Sequence, residues 1–119
     1  MDQIVVLIVE DEAEIRALAR RVLTRSGFCV LTAADADAAL QIMTAVVPDL
    51  LFTDIVLPGG IDGLQLAALA KSLDPEIKIA ATTGYAISSE RLAAVAGILL
   101  PKPYAPNDLI EHIDKVLAA

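Results

Sequence analysis

The 119-residue chain has room for one ordinary domain with a single core and none for a second. Its 9 Lys and Arg against 16 Asp and Glu give a net charge of -7, which argues against direct binding of nucleic acid, because neutralising phosphates takes clustered cations. Although 56% of the residues are apolar, they fall in short runs, and the longest, Ile4–Val9 and Leu92–Leu100, stop well short of the roughly 20 residues of a membrane helix.

The opening Met1-Asp2-Gln3 lacks the basic region that begins a signal peptide, so the cytoplasm is the expected compartment. Ile4 to Val9 predicts a strand, followed at once by Glu10-Asp11-Glu12. From Glu14 to Arg25, Ile15, Leu18, Ala19, Val22 and Leu23 recur at helical spacing, with Gly27 as a stop. Arg16, Arg20, Arg21 and Arg25 lie along that segment and read as its solvated face. Phe28 to Ala33 predicts a strand containing Cys29, the only cysteine, so an internal disulfide is excluded and a buried, inert thiol is expected.

Asp35 to Val46 predicts a helix ended by Pro48, and Leu50 to Thr53 a third strand that delivers Asp54. Leu64 to Leu73 reads as a helix, Ile77 to Thr82 as a strand, Arg91 to Ala96 as a short helix and Ile98 to Leu100 as a short strand. Leu109, Ile110, Ile113, Val116 and Leu117 form the core stripe of a last helix, with Pro106 in its first turn and the lone His112 in a partly exposed place beside the stripe. Five strands alternating with five helices predict an α/β fold: a single doubly wound parallel sheet with helices on both faces. The strand order 2-1-3-4-5 is carried over from flavodoxin-like folds and is not read from these residues. No repeat, linker or low-complexity segment interrupts the alternation.

In such a sheet, Glu10, Asp11 and Asp54 meet at the carboxyl edge, where these folds keep their sites. A loop reading Glu10-Asp11-Glu12 repels phosphate but suits a hard divalent cation, and Mg²⁺ takes one or two carboxylates plus waters and phosphate oxygens. Alternatively, Asp11, Glu12 and Glu14 only complement the dipole of the first helix, at about 0.3–1 kcal/mol each. Asp54 favours the cation, since like charges at ~4 Å repel by ~4 kcal/mol at an effective dielectric near 20. Thr83 and Lys102 end at the same edge. Together these positions offer a nucleophile, a cation site, a hydroxyl and an ammonium, the parts phosphoryl transfer requires.

Over essentially its whole length, residues 1–119, the chain resembles the receiver domain of bacterial two-component response regulators, a stand-alone receiver like the chemotaxis regulators. The matching motifs are Val9-Glu10-Asp11-Glu12, Asp54-Ile55-Val56-Leu57-Pro58, Asp62-Gly63, Thr83-Gly84 and Lys102-Pro103. The resemblance implies that Asp54 accepts a phosphoryl group from a sensor histidine kinase or phosphotransfer protein. It also implies Mg²⁺ held by Asp11, Asp54 and the main-chain carbonyl of Val56, with Glu10 acting through water. Lys102 is then expected to pair with the phosphoryl oxygens, Thr83 to turn its hydroxyl toward them, and the Lys102-Pro103 bond to be cis. Such a protein catalyses only its own phosphorylation and dephosphorylation, and signals to a downstream protein target, with a phosphorylation-dependent homodimer among the forms the resemblance allows.

Three positions depart from the family pattern. Leu99 stands where an aromatic residue usually accompanies the threonine, leaving Tyr85 or Tyr104 to take that role, although a tyrosine near a strand end is more often simple packing. Gly59-Gly60-Ile61 holds one residue more than the commonest spacing between Pro58 and Asp62, and glycine absorbs it easily. Val56 and Tyr85, two residues after Asp54 and Thr83, do not position an attacking water, which predicts a long-lived acyl phosphate. Two rival readings are a pseudo-receiver serving as an interaction module and a small Mg²⁺-dependent aspartyl phosphotransferase. The second lacks the usual acid two residues after its nucleophile, where Val56 stands.

Overall fold

The computed structural model describes residues 3–119, so the reading of Met1 and Asp2 lies outside the described residues. The chain runs β1 (Val5–Val9), α1 (Ala13–Arg25), β2 (Cys29–Ala33), α2 (Ala36–Ala45), β3 (Leu50–Asp54), α3 (Gly63–Leu73), β4 (Lys78–Thr83), α4 (Ser89–Val95), β5 (Leu99–Pro101) and α5 (Pro106–Ala118). All five strands are parallel, in the order β2-β1-β3-β4-β5 expected of the flavodoxin-like fold.

Successive strand side chains point to opposite faces, so each apolar run feeds two cores. Val6, Ile8, Leu50 and Phe52 pack with Leu23 of α1 and Leu109 and Ile113 of α5. Leu7, Val9 and Leu51 pack on the other face with Met43 of α2 and Leu66 of α3. Each such side chain, fully buried, contributes about 1.5–3 kcal/mol. β3 is buried along its whole length because it is central, whereas β2 lies at an edge and is largely half-buried. Cys29 therefore corrects the sequence reading: it is partly exposed, because its strand has a neighbour on one side only.

Helix starts follow cap chemistry more than apolar periodicity. The Asp35 carboxylate accepts the Ala38 N–H at 2.8 Å. Asp62 and Gln65 form a reciprocal box, at 2.8 and 2.9 Å, which starts α3 one residue earlier than predicted. Ser88 Oγ accepts the Arg91 N–H and begins α4 at Ser89, two residues before the predicted start. β3 and β4 each run one residue further than predicted, to Asp54 and Thr83, and β5 is shifted one residue on. These shifts place Asp54 and Thr83 on strands, where neighbouring ladders hold them.

Candidate functional site

Register assembles the site. Val9 pairs with Thr53, so Glu10 and Asp54 leave β1 and β3 side by side. Asp54 pairs with Thr82, and Thr83 with Pro101, which brings Thr83 and Lys102 to the same edge. Carboxylate oxygens of Glu10, Asp11 and Asp54 lie within 4.8 Å of one another. Glu10 and Asp54 are only 3% and 2% exposed, while Asp11 opens to solvent.

Three carboxylate oxygens of the buried pair accept hydrogen bonds, and the fourth, Glu10 Oε1, faces the Lys102 ammonium as an ion pair. Lys102 Nζ lies 2.6 Å from Glu10 Oε1 and 2.7 Å from Asp54 Oδ2. The Glu12 N–H donates to Glu10 Oε2 and the Val56 N–H to Asp54 Oδ1, both at 3.1 Å. Thr83 is buried, and its Oγ1 accepts the Tyr85 N–H at 3.1 Å. The Lys102–Pro103 bond is cis, in agreement with the resemblance.

Behind Asp54, α3 approaches the backbone closely. The Gly63 N–H donates to Ile55 O at 2.8 Å, and a Cβ on Gly63 would lie 1.9 Å from Asp54 O, so only glycine fits. That carbonyl also accepts the Thr53 hydroxyl at 2.9 Å. Gly59, at φ 93°, takes up the extra loop residue.

Burial raises the pKa of Glu10 above the ordinary 4.5, and the Lys102 hydrogen bond only partly offsets it. For Lys102, burial works against the ammonium, but hydrogen bonds to Asp54 and Glu10 outweigh it and the pKa is raised. Burial pushes the Tyr104 phenol up to about 12, with the Glu10 charge acting in the same direction. A half-buried, oxygen-only donor set with one solvent-facing member fits a hard cation such as Mg²⁺, whereas softer metals ask for thiolate or imidazole. The dipole alternative accounts for Glu14, which does sit in the first turn of α1, but Glu12 at the N-cap makes no side-chain cap bond and Glu10 turns into the site.

Glu10, Asp11, Asp54, Thr83 and Lys102 thus converge, and Val56 borders them through its N–H. Other expectations are corrected. Arg16 is no solvated face residue: it is half-buried, and its Nη1 donates to Glu10 O at 2.8 Å, because the first turn of α1 folds against the acidic loop. Tyr85 is 67% exposed and packs into no core, whereas Tyr104 sits edge-on to Phe52 with ring centroids 6.1 Å apart. Half-buried His112 donates from Nε2 to Ile98 O at 2.8 Å and so ties α5 to the segment before β5. Sequence reasoning missed the Arg16 contact and the pairing of Arg91 with the α3 cap Asp62 at 3.2 Å, since both depend on how helices pack.

The family described as response regulator receiver domain matches residues 6–114. The chain is 34% identical over 116 residues to the nitrogen assimilation regulatory protein NtrX of Azorhizobium caulinodans, covering 94% of this chain and 26% of that one. It is 32% identical over 117 residues to the response regulator receiver protein CpdR of Brucella abortus, covering 96% and 97%. The crystal structure of a response regulator receiver protein from Sinorhizobium medicae superposes with a TM-score of 0.87 at 27% identity, covering 99% and 97%. The chain spans about a quarter of NtrX and about half of another relative, the phosphate regulon regulator PhoB of Klebsiella pneumoniae, but nearly all of CpdR.

Proposed function

The chain belongs to the response regulator receiver family, and from that premise we propose that Asp54 accepts a phosphoryl group from the phosphohistidine of a sensor kinase or phosphotransfer protein in a Mg²⁺-dependent reaction. The observation that carries the reading is the buried Asp54 carboxylate, 2.7 Å from the Lys102 ammonium and within 4.8 Å of the Glu10 and Asp11 oxygens.

In this reading an Asp54 oxygen attacks phosphorus as the P–N bond breaks, and the departing imidazole keeps the bonding pair and takes a proton. Asp11, Asp54 and the Val56 carbonyl would hold Mg²⁺, with Glu10 acting through water. When bound there, the ion would supply positive charge to offset that on the phosphoryl oxygens. Lys102 exchanges its contact with Asp54 for one with a phosphoryl oxygen, stabilising the added charge. Thr83, whose hydroxyl oxygen accepts from Tyr85 N–H in the unmodified state, turns to donate its proton to the same group. A partner that prefers the rearranged surface around α4, β5 and α5 then shifts the population toward it.

Intact-mass measurement after incubation with acetyl phosphate, with beryllofluoride as a second probe, tests the proposal. An adduct is expected that needs both Mg²⁺ and Asp54 and is absent from Asp54→Asn. No adduct under any condition returns the chain to the interaction-module reading, and turnover of small phosphoesters favours the phosphotransferase.

A further inference from the structure

A second feature lies at the opposite, amino end of β4. There a groove of about 600 Å³ opens between α3, α4 and α5, floored by apolar residues that include Ile79, Val95 and Val116. Its volume falls in the range of ligand-sized clefts. Lys71, Lys78 and Lys115 line it with no acidic residue among the described residues of the lining, so three of the four lysines of an acidic chain gather at one place.

The floor holds an open strand edge. Alternate residues of a parallel strand turn their N–H and C=O to opposite neighbours. Lys78 N–H donates to Asp49 O on the β3 side, whereas Ala81 N–H donates to Ile98 O on the β5 side. Ile79 therefore faces the β5 side, but β5 pairs with β4 only from Ala81 onward. The next donor in register, the Ile98 N–H, turns instead to Val95 O at 2.9 Å. Ile79, only 9% exposed, is thus left with a donor and an acceptor aimed into the groove and, among the described residues, no strand to take them. Buried backbone groups are nearly always paired, and an open edge between hydrophobic walls is where an added strand pairs.

We propose that this groove binds an extended acidic peptide segment of a partner protein, which pairs with Ile79 along the β4 edge, buries apolar side chains against Val95 and Val116, and sets its carboxylates by Lys71, Lys78 and Lys115. An anionic amphiphile would match the lysines and the floor but cannot supply the alternating donor and acceptor that Ile79 leaves open. Lys78 donates to Ala119 O and Lys71 only loosely, at 3.4 Å, to Pro75 O, so Lys71 and Lys115 carry the charge test.

The probe is a labelled acetyl-Asp-Glu-Val-Ile-Val-amide, followed by anisotropy and by amide NMR of the whole chain. In the free protein the Ile79 amide should exchange faster than that of Ala81. The peptide should shift and protect it, Lys71→Glu with Lys115→Glu should weaken binding about tenfold or more, and N-methylation of alternate peptide nitrogens should abolish binding. Equal binding of the N-methylated peptide, an Ile79 amide already protected in the free protein, no binding by the peptide, or occupation by dodecanoate in its place would each overturn the proposal. Asp54→Asn, which abolishes the adduct, leaves this readout intact and separates the two readings.

Discussion

Replacing Lys102 by Met keeps the stem of the side chain and removes the ammonium that pairs with Glu10 and Asp54 at 2.6 and 2.7 Å. Both carboxylates are buried, so bulk water does not take its place. With their oxygens within 4.8 Å, the bare pair repels by about 3.5 kcal/mol or more at an effective dielectric near 20. Breaking one side of a buried ion pair costs about 3–5 kcal/mol, and a loss in that range is expected for Lys102→Met at neutral pH. Glu10 sets the sign of the pH dependence. Its folded pKa is already raised by burial, and losing the Lys102 hydrogen bond and charge raises it further. A carboxyl raised in the folded state contributes stability that is fully present below its unfolded value and lost as pH rises through the folded one. The deficit should therefore be largest near neutrality and shrink as the pH falls toward 4.5. Mg²⁺ should restore more stability to the variant than to the wild type, since an ion bound only by the folded state adds about 2.7 kcal/mol at 100 times its Kd. Urea unfolding at neutral and mildly acidic pH, with and without Mg²⁺, measures all three effects. A neutral-pH deficit no larger than that of a surface pair, about 1 kcal/mol, or a deficit that does not change with pH, refutes the reasoning.

Gly63→Ala must push α3 away from Asp54 O, where the new Cβ would lie at 1.9 Å, and should cost about 3 kcal/mol in thermal unfolding; a wild-type midpoint would show that the close approach is not required. In Tyr85→Phe, Tyr104 is the sole phenol, and its phenolate absorbance should appear with a midpoint near 12. Because that pKa is raised from 10.0, the associated stability is present below pH 10 and is lost as pH rises through 12, so a midpoint at the ordinary value contradicts the burial of the ring. The acyl phosphate should outlast the seconds scale, because exposed Val56 and Tyr85 offer an attacking water no base; mass-detected loss within seconds in Mg²⁺ buffer, with Tyr85→Glu no faster, counts against this.

Much of the fold was legible because both faces of a parallel sheet are covered. The strands therefore read as unbroken apolar runs, as Leu50–Phe52 does, and the intervening helices as 3.6-residue stripes, as Ile15–Leu23 and Leu109–Leu117 do. The acidic residues were legible for a related reason: each directly follows such a run, and parallel strands end at one edge. Boundaries were less legible, since Ser88 and Asp62 begin their helices through side-chain bonds that apolar spacing does not encode. Cys29 read as buried because residue type says nothing about whether its strand is central or at an edge.

What the sequence determined by itself is local: the order of elements, the face each apolar residue turns inward, and which charged residues stand at strand ends. These follow from backbone periodicity and the aversion of apolar side chains to water, which act over a few neighbouring residues. The tertiary structure alone decided the ion pairs of Lys102 with Glu10 and Asp54, the hold of Arg16 on Glu10 O, the close approach at Gly63 and the unpaired Ile79 edge. Each depends on distances between segments tens of residues apart, and those are set by strand register and helix packing over the whole domain.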